Sequence, residues 1–323
     1  MENKPMISET EKREALKQFM AEKAKAPVCV AFSGGVDSSL ILKLACDTAK
    51  KTGMPVYAVT FHTMLHPACD LEIAERVAKE LGAIHKIIQV NEMELEAIRT
   101  NPVNRCYICK HHLFATLLDF AKEEGIPCVM DGTNESDLHV YRPGIQALRE
   151  LGVVSPLAQC GLEKKDVKAF AADLGISVAS RPSMPCMATR LPYGTSFDME
   201  VLKRIEKGED YLRSVFGGNV RLRLHGDIVR FCADFQPHES VERTRDTLFR
   251  PVLLDSVAMM ELLGEKAMAE NIKKLQRAYM DAAFKSGAEQ VQLCRHIDML
   301  LMEQVIEGWK GLIGTGVRPH VPS

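Results

Sequence analysis

CVAFSGGVDSSLILKLA, Cys29 to Ala45, carries the strongest structural signal in the chain. It begins as a short apolar run of strand type, passes through Ser33-Gly34-Gly35, and continues with apolar residues at helical spacing from Ser38 to Lys50. A strand, a glycine-serine loop and a helix in that order form a phosphate site. The two glycines let the backbone approach an anion, the hydroxyls of Ser33, Ser38 and Ser39 add donors, and the free N–H groups of the first helical turn carry partial positive charge. No Gly-Lys-Ser/Thr ending follows, which excludes the Walker loop. Asp37, inside the loop, suits a ligand for the Mg²⁺ that accompanies a diphosphate. The bland alternative is a serine-capped turn with no ligand; the complete strand–loop–helix context argues against it.

Further strand-like runs occur at Val56 to Phe61, Ile84 to Val90 and Pro127 to Met130. Helical spacing separates them at Leu71 to Leu81 and His111 to Glu123, and Gly161 to Leu174 reads as another helix before a short strand at Ile176 to Val178. Alternating strands and helices predict an α/β fold with a Rossmann-like parallel sheet, ligands lying at the carboxyl ends of the strands. This first domain is expected to span 1–180. RPSMPCMATRLPYGT, Arg181 to Thr195, holds three prolines and a glycine and reads as a hinge. A smaller C-terminal α+β and helical region, 181–323, follows: a helix from Asp198 to Val215, a hairpin pairing Asn219 to Leu224 with Ile228 to Ala233, and a Met-rich helical extension over 252–309 that suits core or a homo-oligomer interface.

The 323 residues, 46% hydrophobic with a formal net charge of -2, argue against a protein that coats nucleic acid or anionic membrane. No apolar run reaches membrane-spanning length, and MENKPMISETEKREALKQF is a charged amphipathic start, so no membrane partner and a cytoplasmic location are expected. In that compartment the 10 cysteines read as core residues, metal ligands or reactive thiols rather than disulfides.

A second loop, DGTNESD (Asp131 to Asp137), also follows an apolar strand. Gly132, Thr133 and Asn134 are placed to bind nucleotide, and Asp137 to hold Mg²⁺; a plain Asp-Gly turn is the alternative. Three cysteines stand in chemically active surroundings: Cys106 and Cys109 in NRCYICK, and Cys186 in MPCMATR. Thiols beside Arg105, Lys110 or Arg190 would be good nucleophiles or metal ligands, and three cysteines leave one iron of a cluster open. A single C-x-x-C is weak evidence of a metal, and a buried apolar role competes with it. Cys29, Cys46 and Cys128 read as core.

The motif SGGVDSS resembles the signature of PP-loop ATP pyrophosphatases, which implies ATP with its pyrophosphate in the Ser33 to Ser39 loop and attack at the α-phosphate. Together with NRCYICK, DGTNESD, Arg142-Pro-Gly144, Ser155-Pro-Leu157 and PCMATRLPYG, the chain resembles the LarE family over residues 28–231. Members adenylate a carboxylate of a pyridinium mononucleotide and install sulfur during synthesis of the nickel-pincer nucleotide. The resemblance implies ATP and Mg²⁺ as cofactors, a carboxylated nucleotide as small-molecule substrate, and catalytic roles for Cys186, Asp37 and Arg190. It implies substrate binding by Arg142 and by the strand pair Arg221 and Arg223, and a metal role for Glu209. Cys186 matches the family's sulfur-donating cysteine; the additional Cys106 and Cys109 resemble members that hold a [4Fe-4S] cluster. The chain departs from the family after Phe231: Cys232 replaces an acidic residue, and the closing Gly-Tyr-Arg-Ser-Gly segment gives way to the helical extension. Alternative expectations are a PP-loop enzyme that thiolates or amidates another substrate, tRNA or a small carboxylate, and a non-catalytic adenine-nucleotide sensor.

Overall fold

Side-chain alternation along β1 (Val28–Ala31) shows how the sheet is covered. Val28 and Val30 enter one apolar cluster while Cys29 enters another, because successive residues of a strand point to opposite faces. The computed structural model describes residues 8–216, 220–225 and 228–233. They fall into two units, Met1–Ala188 with Tyr193–Phe197, and Thr189–Pro192 with Asp198–Ser323.

In the first unit, β1 pairs in parallel with β2 (Val56–Thr63) and with β4 (Cys128–Met130), and β2 pairs in parallel with β3 (Ile84–Val90). The order β3-β2-β1-β4 means that the chain winds outward from β1 to β3, then returns to set β4 on the other flank of β1. The loops leaving β1 and β4 therefore lie side by side at the carboxyl ends of the strands, where the strand order reverses and ligands bind in such sheets. An isolated parallel bridge from Met130 to Val154 extends that edge.

The helices of this unit are α1 (Glu9–Lys23), α2 (Val36–Thr52), α3 (Ala68–Leu81), α4 (Arg105–Glu123), α5 (Glu135–Leu138), α6 (Gly144–Glu150), α7 (Pro156–Gln159) and α8 (Lys164–Asp173). Ser8 and Glu11 cap α1 reciprocally. One face of the sheet packs on α1, α2 and α8; Leu40, Ile41 and Leu42 of α2 are all fully buried there, each contributing about 1.5–3 kcal/mol. Cys29 lies under α4 and α6 with Leu113, Leu117 and Leu148 on the opposite face. Both faces are thus covered over the central strand β1, while the edge strand β3 stays largely exposed.

Three sequence expectations are corrected here. Helix α4 starts at Arg105 rather than His111, since the buried stripe Cys109, Leu113, Leu117 continues one turn upstream through buried Arg105. Ile176 and Val178 are buried but lie at a turn, with the Ile176 N–H bonded to Ala171 O at 3.0 Å, so no strand forms there. The first unit also runs beyond 180. Arg181 pairs with Asp70, Met187 N–H donates to Leu65 O at 2.7 Å, and Gly194 and Phe197 N–H groups donate to Asn101 and Arg99 carbonyls at 3.0 Å. These bonds hold most of the expected hinge against the first unit.

The described part of the second unit contains α9 (Met199–Phe216) and an antiparallel hairpin, β5 (Val220–His225) with β6 (Ile228–Ala233), registered from Val220↔Ala233 to His225↔Ile228. The expected extension over 252–309 lies outside the described residues. No helix among the described residues is long and apolar enough to cross a membrane.

Candidate active site

At the end of β1, Phe32 is pinned by its N–H to Val59 O at 2.7 Å and by Thr60 Oγ1, which donates to its carbonyl at 2.8 Å. The chain then bends. Gly34 has φ 67°, and a Cβ there would lie 2.9 Å from the Ala74 nitrogen, so both its conformation and its space demand glycine. Ser38 Oγ donates to Gly35 O at 3.2 Å and accepts the Ser33 N–H at 3.4 Å, holding the loop against the start of α2. Gly35 is the N-cap of α2 and makes no side-chain cap, leaving first-turn N–H groups directed at an anion site. The Ser39 hydroxyl is buried without a partner. Arg181 reaches the Gly34 carbonyl at 3.4 Å from outside.

The second loop, after β4, faces this one. A Cβ on Gly132 would stand 3.0 Å from Ser38 N, so the two loops meet backbone to backbone. Asp131 is buried and fixed by Ser155 Oγ at 2.5 Å and by the Thr133 N–H at 3.2 Å. Asn134 caps α5 in a reciprocal box with Asp137, and its Nδ2 donates to Asp37 Oδ1 at 3.0 Å. Lys164, at the start of α8, forms an ion pair with the other Asp37 oxygen, and Arg142 pairs with Asp137 at 3.0 Å. Sequence reading missed Lys164. Lysines at helix starts are commonplace, and its closeness to Asp37 exists only once α8 packs on α2.

A cavity of about 360 Å³ within the first unit joins these loops to the three cysteines. Ser33, Asp37, Ser38, Gly132, Thr133, Asp137 and Arg142 line it, and so do Cys106, Cys109 and Cys186. Cys106 and Cys109 sit in the first turns of α4. Buried Arg105 donates from Nη2 to Cys106 Sγ at 3.2 Å and from Nη1 to Cys186 Sγ at 3.7 Å. Burial pushes the Cys186 thiol above its ordinary value, and Arg105 offsets part of that rise. Cys109 packs in the core beneath α4, and burial pushes it up to about 12. Glu92 is fully buried in the wall; Oε2 accepts the Met64 N–H at 3.2 Å and Oε1 has no partner. Nearby His66 is held by Thr63 at 2.8 Å, and burial lowers its pKa against the pull of Glu92 and Asp70.

Arg190 and Glu209 take a different part from the one expected. Both belong to the second unit and are buried against each other: Arg190 Nε and Nη2 donate to Oε1 and Oε2 of Glu209 at 2.8 and 2.7 Å. The Leu222 N–H adds a bond to Oε1 at 2.8 Å and Arg213 one to Oε2 at 3.3 Å. A carboxylate so occupied has little left for a metal, so Glu209 here anchors β5 to α9. Arg221 and Arg223 are half-buried at alternate positions of β5, on one face of the hairpin, and Arg223 Nε is buried without a partner.

Residues 11–109 match the family model described as Asparagine synthase. An uncharacterized protein of Synechocystis is 39% identical over 219 residues, 68% of this chain and 80% of that one. Pyridinium-3,5-bisthiocarboxylic acid mononucleotide synthase of Lactiplantibacillus plantarum is 34% identical over 203 residues, 63% of this chain and 73% of that one. The chain belongs to the LarE family. Within the LarE family it is a PP-loop enzyme of ATP-dependent sulfur transfer, with the α/β fold described above. Among solved structures, NMN synthetase from Francisella tularensis is similar at 18% identity and TM-score 0.43, covering 63% of this chain and 87% of that one.

Proposed function

We propose that this LarE-family enzyme adenylates a carboxylate of pyridinium-3,5-biscarboxylic acid mononucleotide and replaces its oxygen with sulfur. The observation that carries the reading is a cavity lined both by Ser33, Asp37 and Ser38 of the SGGVDSS loop and by Cys106, Cys109 and Cys186. In the first half-reaction a substrate carboxylate oxygen attacks the α-phosphorus of ATP and pyrophosphate leaves. The uncapped start of α2, the hydroxyls of Ser33, Ser38 and Ser39, and Lys164 take up the diphosphate charge; Gly34, Gly35 and Gly132 admit its oxygens. Thr133 and Asn134 bind the nucleotide. Asp37 and Asp137 would hold Mg²⁺, which uses one or two carboxylates together with phosphate oxygens rather than a protein cage. Each now faces a cation, Lys164 or Arg142, which is free to turn to phosphate when the metal arrives. Arg142 is the first unit's anion ligand for the substrate in this reading.

In the second half-reaction a sulfur nucleophile attacks the acyl carbon and AMP leaves. Cys186 delivers or gates that sulfur. The donor set suits a [4Fe-4S] cluster: three thiols line one end of the cavity, and Arg105 donates hydrogen bonds to two of them. No group of three Cys, His, Asp or Glu among the described residues converges on a single metal ion, the arrangement a zinc site would need. When bound, the cluster would supply a coordination position open to added sulfide. Homo-oligomeric assembly is part of the proposal through the 252–309 extension, which lies outside the described residues.

The test is anaerobic purification with iron and sulfide analysis, followed by mass spectrometry of products from ATP and the biscarboxylic nucleotide. A product with sulfur in place of oxygen, formed by iron-containing protein, supports the reading. Iron-free protein whose Cys186 loses its sulfur during turnover would move the source from cluster to cysteine. No sulfur-containing product would overturn the function.

A further inference from the structure

Asn101 is the only non-glycine residue with positive φ among the described residues, at 48°, and it is 1% exposed. Such a conformation persists where surrounding bonds over-determine it. The Asn101 carbonyl accepts the Gly194 N–H at 3.0 Å, its Nδ2 donates to Ala188 O at 3.5 Å, and its Oδ1 accepts from Arg105 Nε at 2.9 Å. Asn101 thereby ties three segments together: the start of α4, the stretch carrying Cys186, and Tyr193–Phe197.

Arg105, 3% exposed, spends its remaining nitrogens on sulfur, Nη2 on Cys106 and Nη1 on Cys186. No carboxylate among the described residues lies within ion-pair distance of it. A buried guanidinium needs acceptors, and the two sulfurs are those within its reach. We propose that Asn101 and Arg105 form a positioning pair that presents Cys106 and Cys186 together on one planar fork. The pair thereby builds the thiol end of the cavity. Asn101 sets the rotation of the guanidinium through Nε, and the fork sets the separation of the thiols. This rests on the reading that these thiols handle the transferred sulfur, but the geometry can be tested without turnover.

Phenylarsine oxide condenses with two thiols, losing water, only when they converge. Reduced, metal-free wild-type protein is expected to take one arsenical across Cys106 and Cys186, located by mass spectrometry of a digest. Arg105→Lys offers one nitrogen that cannot span both sulfurs, and Asn101→Gly keeps the left-handed backbone while removing the amide. Each should weaken capture at least tenfold while the protein retains a cooperative melt. Reconstituted anaerobically and then reduced with dithionite, the same variants should show a diminished cluster electron-spin-resonance signal. Wild-type capture at another pair, or undiminished capture in both variants, would overturn the proposal. Loss of capture in the variants, with no sulfur-containing product from the wild type, would leave the pair standing and remove the sulfur-transfer reading instead.

Discussion

Lys164 illustrates what single residues contribute. Its ammonium faces Asp37 beside the uncapped start of α2, where a diphosphate's charge would accumulate. Lys164→Ala should lower kcat/KM for pyrophosphate release about 100-fold, the scale of losing one preorganised donor to a developing charge. An unchanged rate would detach Lys164 from the site. Gly34 is restricted twice, by φ 67° and by the Ala74 backbone, so Gly34→Ala should cost about 1–3 kcal/mol in urea unfolding and weaken nucleotide binding. His85 carries a pH dependence. Burial lowers its pKa, with Glu75 partly opposing, while its Nε2 is bonded to Thr60 at 2.8 Å. Because the folded chain holds this proton less tightly than the unfolded one, stability is fully present above about pH 6.5 and declines as pH falls below it. His85→Gln should flatten the melting temperature between about pH 6.5 and the lowered folded value. A parallel decline in the variant would remove His85 as the cause.

Among the elements, the strand–loop–helix unit around Ser33 to Ser39 was readable because each of its signals is local: an apolar run, two glycines, then helical spacing. The start of α4 was not, because the first members of its buried stripe are Arg105 and Cys109 rather than aliphatic residues. Likewise Ile176 and Val178 have strand-like alternation, but the Ile176 N–H is taken by the Ala171 carbonyl at the end of α8, and a turn results. Local sequence also concealed the partners of Arg190 and Glu209. Arginine and glutamate in polar motifs suggest chemistry, whereas their pairing depends on α9 meeting β5. That buried pair carries its own prediction. Arg190→Met strands a buried carboxylate and should destabilise the protein by about 3–5 kcal/mol in denaturant, whereas added divalent metal should shift the stability of the wild type and of Glu209→Gln equally. Metal-dependent stabilisation that disappears in Glu209→Gln would restore the metal role.

For the whole molecule, the proposed function has one cavity serve two chemistries. Winding β3-β2-β1-β4 brings the loops after β1 and β4 together, and the same crevice continues to thiols supplied by α4 and by the segment before Ala188. ATP cleavage and sulfur delivery are therefore separable by substitution yet share one substrate. Cys186→Ala should abolish sulfur transfer and leave adenylation measurable, read as pyrophosphate released with no thiolated nucleotide formed. Equal loss of both would place Cys186 in the nucleotide chemistry instead. The most direct measurement follows α-labelled ATP through turnover with the carboxylated pyridinium mononucleotide. The account predicts AMP and pyrophosphate, dependent on that nucleotide and lost with Asp37→Ala; label appearing as ADP would contradict it.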